Sequence, residues 1–116
     1  MANNVREIIK EIQKEVYNSS DLLPERAAEL LVQLSSLLGN CIDEIRIADQ
    51  EYAERLLKCL DEETKANRAK IRAEISPEFQ RRQEARNAKE LVLSLINSLK
   101  YFIRSKKEEF DQAKYQ

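Results

Sequence analysis

The sequence predicts an all-α protein, a long antiparallel helical hairpin with a short N-terminal helix, in which a coiled-coil-like arm protrudes from a bundle core. Three observations predict this class. The 116 residues include one glycine and two prolines, so turn signals are scarce. Apolar residues recur at spacings of three and four, the period of a helix face. Ser76-Pro77 disfavours helical geometry before the proline and marks a sharp turn. The length suits a single domain, residues 1–116.

The first predicted helix covers about residues 4–17. Its apolar residues fall on one stripe: Val5, Ile8, Ile9, Ile12 and Val16. The polar run at 17–21 then favours a loop, because its short side chains compete for backbone hydrogen bonds.

The second predicted helix covers residues 23–75 and starts near Pro24, whose missing N–H costs nothing in a first turn. Its apolar residues step by seven in two rows: Leu31, Leu38, Ile45, Tyr52, Cys59, Ala66 and Ala73, with Leu34, Cys41 and Ala48 as the companion row. Gly39 and Asn40 offer a site for a kink or a break. Because the heptad phase continues past the glycine, a continuous or kinked helix is favoured. An interior glycine costs only about 1 kcal/mol, which a long helix tolerates.

The third predicted helix covers residues 77–112, because Ser-Pro-Glu is a typical cap and first turn. Seven residues of the two long helices form the predicted core seam, which would also serve oligomerisation: Leu31, Leu38, Ile45, Tyr52, Leu95, Leu99 and Phe102. Folding the chain about Ser76-Pro77 is expected to place residue 60 near 93 and residue 45 near 108. Segments 61–75 and 78–90 would then form the thin arm.

The predicted arm is basic. Residues 65–89 carry eight basic and three acidic side chains. Seven of these are candidate anion-binding residues: Lys65, Arg68, Arg72, Arg81, Arg82, Arg86 and Lys89. Rows of cations on a helix face can grip the phosphates of DNA, RNA or a nucleotide. The simpler interpretation is a solvated surface on which arginine stems cover small alanines.

A second basic cluster follows in the same helix. It comprises Lys100-Tyr101-Phe102-Ile103-Arg104 with Lys106 and Lys107. We expect these cations to pair with the acidic stretch 43–54, while any exposed remainder would line a groove between subunits.

The composition argues against an enzyme. No histidine is present, which removes the commonest general base, and one glycine cannot build a phosphate-binding loop. Carboxylates such as Glu51, Glu54 and Glu62 flank the seam, so a metal-dependent helical nucleotide hydrolase is a remote alternative. Cys41 and Cys59 are expected to be buried as small hydrophobes. We expect no cofactor and no metal.

The segment 69–110 resembles small helical proteins encoded in bacteriophage early and recombination regions. The resemblance covers about a third of the chain and lies in three stretches: Ile75-Ser76-Pro77-Glu78-Phe79, Glu84-Ala85-Arg86-Asn87-Ala88 and Ser98-Leu99-Lys100-Tyr101-Phe102-Ile103-Arg104. It implies a non-enzymatic protein that binds host factors, DNA-metabolism partners or defence signals.

The expected function is therefore that of a phage-encoded helical interaction protein that forms a homo-oligomer and binds a protein partner. The alternative is anion binding, to nucleic acid or a nucleotide, by the basic arm. No apolar run approaches the 18 to 20 residues of a membrane span, so no membrane association is expected. The expected location is the cytoplasm, that of the host if the protein is phage-encoded.

Overall fold

The structure, a computed structural model, describes residues 2–18 and 22–114. These residues form four α-helices and no strand: α1 Ala2–Asn18, α2 Pro24–Glu62, α3 Ala66–Glu74 and α4 Pro77–Lys114. The predicted all-α hairpin class with a short N-terminal helix is confirmed. Residues 19–21 of the predicted first loop lie outside the described residues. No helix in the described part of the chain is long and apolar enough to span a membrane.

The chain divides into two compact units. Unit 1 comprises Met1–Leu38 and Glu90–Gln116, and unit 2 comprises Gly39–Lys89. That the whole chain is one domain stays a prediction. Gly39 does not interrupt α2, in agreement with the favoured interpretation of its heptad phase.

Unit 1 has a core of large aliphatic side chains. Its buried residues are Ile9, Ile12, Ala27, Leu30, Leu34, Leu37, Val92, Leu95, Ile96 and Leu99. Leu95 and Leu99 of the predicted seam are therefore buried, whereas Leu31, Leu38 and Phe102 are half-buried. Burying one such aliphatic side chain contributes about 1.5 to 3 kcal/mol, so hydrophobic burial holds this unit together.

Unit 2 has a core of small side chains. Its buried apolar residues are Cys41, Ala48, Cys59, Ala69 and Ala73. Tyr52 and Leu56 are partly buried against Cys59, and Ile45 is half-buried. Both cysteines are buried free thiols, as predicted. Small side chains remove little apolar area from water, so other contacts must hold this unit.

The prediction of one helix over residues 23–75 is wrong, because α2 ends at Glu62 and α3 begins at Ala66. Carboxylates at positions 62 and 63 lie at the negative end of the α2 dipole, where a neighbouring cation is favourable. Arg72 on α3 binds both carboxylates, and the two alanines buried on α3 belong to the same cluster as Cys59. Folding α3 back onto α2 therefore neutralises the acidic end and buries the alanines.

The predicted register of the hairpin is also wrong. Asp49 on α2 contacts Arg82 and Arg86 on α4, and the Tyr52 ring lies 5.6 Å from that of Phe79. The two helices are antiparallel, as predicted. Residue 49, however, pairs with residues 82 and 86 rather than with residues just above 100. The register differs from the predicted one because α3 folds back onto α2 instead of extending it as one arm of the hairpin opposite α4.

Candidate functional site: the charge network of unit 2

The start of α4 is set by Ser76, as the sequence predicted. The buried Ser76 hydroxyl accepts a hydrogen bond from the Phe79 N–H at 3.3 Å and donates one to the Ala73 carbonyl at 2.5 Å. This cap joins the end of α3 to the first turn of α4. The pKa of Glu78 is lowered, first by the hydrogen bond from its own backbone N–H and then by the charges of Arg55 and Arg81. The cap therefore fixes the first turn of α4. Arg81 and Arg82 follow in the next turn.

Asp49 is the carboxylate on which two arginines of the predicted anion-binding set converge. Arg86 Nη2 donates a hydrogen bond to Asp49 Oδ1 at 3.2 Å. Arg82 Nε lies 3.2 Å from the same oxygen, but its N–H makes no hydrogen bond there, so the contact is one of charge alone. The Arg82 guanidinium also lies 4.7 Å from the centre of the Tyr52 ring, within cation–π distance. Both arginines are therefore occupied within unit 2.

Arg81 lies between two carboxylates. Its guanidinium nitrogens are 3.8 Å from Glu51 and 3.7 Å from Glu78. These three residues line an open cleft of about 270 Å³ whose wall is completed by three further charged residues, Glu54, Arg55 and Lys58. Three carboxylates balance three cations in this cleft, so it carries no excess positive charge that would bind a phosphate.

Arg72 binds the acidic end of α2. Its guanidinium donates hydrogen bonds to Glu62 at 2.9 Å and to Glu63 at 3.2 Å. These hydrogen bonds, that to Glu62 above all, raise the pKa of Arg72 above its ordinary value. The contact holds α3 against α2 and leaves the guanidinium engaged.

The structure thus brings four of the seven predicted anion-binding residues into ion pairs with carboxylates of the same unit. The remaining three are Lys65, Arg68 and Lys89, of which the first two are exposed and the third is half-buried. None of the three forms an ion pair within the described residues. The arginines could be identified from the sequence, but the α2 carboxylates that Arg81, Arg82 and Arg86 approach could not, because they depend on the register. The spacing of four between Arg82 and Arg86 was the available signal, since it lets both side chains reach one carboxylate.

The expected pairing of the second basic cluster with residues 43–54 is wrong. The ion pairs of Asp49 and Glu51 come from Arg81, Arg82 and Arg86 of α4. The correct pairing follows from the register, which sets the beginning of α4 beside this part of α2. Lys106 pairs with Glu109 on its own helix instead.

Among residues 2–18 and 22–114, no three side chains of the histidine, cysteine, aspartate and glutamate types come together as a metal-binding group. Comparisons with known protein families, with curated proteins and with solved structures find no match to this chain.

Proposed function

We propose that this protein is a non-enzymatic helical interaction protein that self-associates and acts by binding a protein partner. The observation that carries the proposal is the outward face of α2 within unit 2. Ile42 is 51% exposed and Ile47 is 41% exposed there. A second helix packed on this face would remove the apolar surface of both isoleucines from water.

The outward face of α2 complements itself. Gly39, Asp43, Arg46 and Gln50 step by four, three and four, on the side of the helix opposite the buried Cys41 and Ala48. In an antiparallel pair with a two-fold axis between residues 44 and 45, Asp43 of one copy faces Arg46 of the other, and Gly39 faces Gln50.

The central charges of this face are free to pair. Asp43 and Arg46 are exposed and form no ion pair within the described part of the chain. In a two-fold pair the contact between Asp43 and Arg46 forms twice, which favours the antiparallel over the parallel arrangement.

Gly39 supports the same arrangement. An interior helical glycine costs about 1 kcal/mol relative to alanine, and a Cβ added at Gly39 would have no atom within 4 Å to meet. Packing within its own chain therefore does not require the glycine, whereas close approach of a second helix does. Three turns of helix make a short interface, so we expect a dimer that dissociates on dilution.

Light scattering across a concentration series tests the proposal. We expect Asp43→Arg and Arg46→Asp each to produce a monomer, and the double exchange to restore the dimer. Asp61→Arg, the same charge change at an exposed α2 residue outside the face, should leave the dimer intact. A wild-type protein that stays monomeric at the highest concentration, or a double exchange that fails to recover the dimer, would refute the assignment.

We also propose that the protein is phage-encoded and acts in the host cytoplasm. This part of the proposal rests on the resemblance of segment 69–110 to small helical phage proteins. Anion binding by the predicted basic arm has less support, because Arg72, Arg81, Arg82 and Arg86 already bind carboxylates. A metal-dependent hydrolase has less support as well, since Glu51 and Glu62 are used in those pairs.

A further inference from the structure

A second, unpaired basic row lies on α4 in unit 1. It consists of Lys100, Arg104 and Lys107, which step by four and three along one side of the helix and are exposed. Tyr101 lies next to the row on the side of Arg104, three residues before it on the helix, and is 73% exposed. The three cations and Tyr101 are all exposed, so these side chains point to solvent without contributing to the core.

The cations of this row are not neutralised in the described chain. Lys100, Arg104 and Lys107 form no ion pair among the described residues, in contrast to Arg72, Arg81, Arg82 and Arg86 of unit 2. The sequence from Leu91 to Lys107 contains no acidic residue, and Glu108 closes the row at its C-terminal end. Lys106 lies outside the row, since it pairs with Glu109 at 3.4 Å and lies 5.8 Å from the centre of the Phe102 ring.

We propose that this row binds single-stranded nucleic acid, with phosphates on the three cations and a base stacked on Tyr101. Seven residues separate Lys100 from Lys107, which corresponds to about 10 Å along a helix and to two or three phosphates of one strand. An exposed aromatic ring beside cations is the arrangement with which proteins hold unpaired bases. A duplex offers no free base face to Tyr101, so the single strand is favoured over the double strand.

This inference is independent of the self-association proposed above. The α2 face uses Asp43 and Arg46, and the nucleic-acid row uses residues of α4 alone. A protein that fails to dimerise but binds the oligonucleotide, or the reverse, therefore separates the two proposals.

Fluorescence anisotropy with a labelled 20-nucleotide oligothymidine, titrated at several salt concentrations, tests the row. We expect Lys100→Glu with Arg104→Glu to weaken binding by at least tenfold at low salt. The matched control is Lys10→Glu with Lys14→Glu, an identical charge change at exposed residues of α1, and it should reduce affinity by less than threefold. Circular dichroism of both double variants verifies that they remain helical.

Salt dependence and stacking give two further readouts. Each lost phosphate contact should reduce the slope of log affinity against log salt by about 0.7, so the α4 double variant should lose about 1.4. Tyr101→Ala should weaken binding severalfold while Tyr101→Phe preserves it, because the ring rather than the hydroxyl stacks.

The proposal would be overturned by an α1 control that binds as weakly as the α4 variant or by an unchanged salt slope. It would also be overturned by equal affinity for polyphosphate of matched length or for a matched duplex. Binding of free thymidine monophosphate as tight as that of the oligonucleotide would also contradict it, since a mononucleotide cannot occupy the three cations.

Discussion

The two units use different interactions for the same kind of structure. In unit 1 large aliphatic side chains from α1, α2 and α4 are fully buried, including Ile9, Leu30, Leu34, Leu95 and Leu99. In unit 2 the buried side chains are alanines and cysteines, and exposed or half-exposed arginines bind carboxylates instead.

The two units therefore owe their stability to different interactions. Burial of a leucine contributes several times more free energy than an exposed ion pair, which is worth about 0.2 to 1 kcal/mol. Unit 2 should therefore be the less stable unit and the one more sensitive to salt and pH. Substitutions that remove one interaction of each kind test this difference between the units.

The largest effect is expected in the core of unit 1. Leu99→Ala should reduce the free energy of unfolding by about 2 to 5 kcal/mol, because Leu99 is fully buried and its removal leaves a cavity. Urea denaturation measures the change. Val32→Ala, at a 73% exposed residue of the same unit, is the control and should have little effect. A loss below 1 kcal/mol for Leu99→Ala would show that this seam is not core.

A smaller effect is expected from the central carboxylate of unit 2. Asp49→Ala removes the partner of Arg82 and Arg86 and should cost about 0.5 to 1.5 kcal/mol, since both ion pairs are partly exposed. Hydrogen exchange should report faster opening of the α2 amides around residue 49 than in the control Asp61→Ala. Equal exchange in the two variants would mean that the network does not hold unit 2.

Acid should weaken both units by protonating Glu15 in unit 1 and Glu78 in unit 2. The hydrogen bond from Arg26 lowers the pKa of Glu15 below its ordinary value of 4.5, and the pKa of Glu78 is lowered by its backbone N–H. Lowered folded-state pKa values contribute stability that is present above pH 4.5 and is lost as the pH falls through the folded-state values.

A pH series of thermal melts checks this. Glu15→Gln should lower the melting temperature at pH 7 and make the decline on the acid side shallower, whereas Glu11→Gln, at an exposed residue of the same helix, should change neither. An unchanged acid decline in Glu15→Gln would show that its pair with Arg26 does not contribute.

The smallest expected effect is a gain. Gly39→Ala should raise the free energy of unfolding by about 0.5 to 1 kcal/mol, because alanine has the higher helix propensity and open space surrounds the new methyl group. The measurement is made by urea denaturation at a concentration where the protein is monomeric. A destabilised variant would contradict this expectation, because it would mean that the added methyl group meets an atom near Gly39.

Much of the fold could be predicted from local patterns. The continuity of α2 through Gly39 followed from the heptad phase, and the start of α4 at Pro77 followed from the Ser-Pro-Glu signal. The break after Glu62 could not be predicted, because Glu63, Thr64 and Lys65 include neither glycine nor proline. Of the candidate site, the arginines could be predicted but their partners could not, since the partners depend on the register.

The helical class, the turn at Ser76 and the aliphatic stripe of the core follow from local patterns, because propensity, capping and periodicity act over a few neighbouring residues. Long-range packing sets where α2 ends, which residue of α4 faces Asp49 and which cations remain unpaired. Those features depend on contacts between residues far apart in the chain, such as Arg86 with Asp49. A short helix inserted before the turn shifts all such contacts without altering any local pattern.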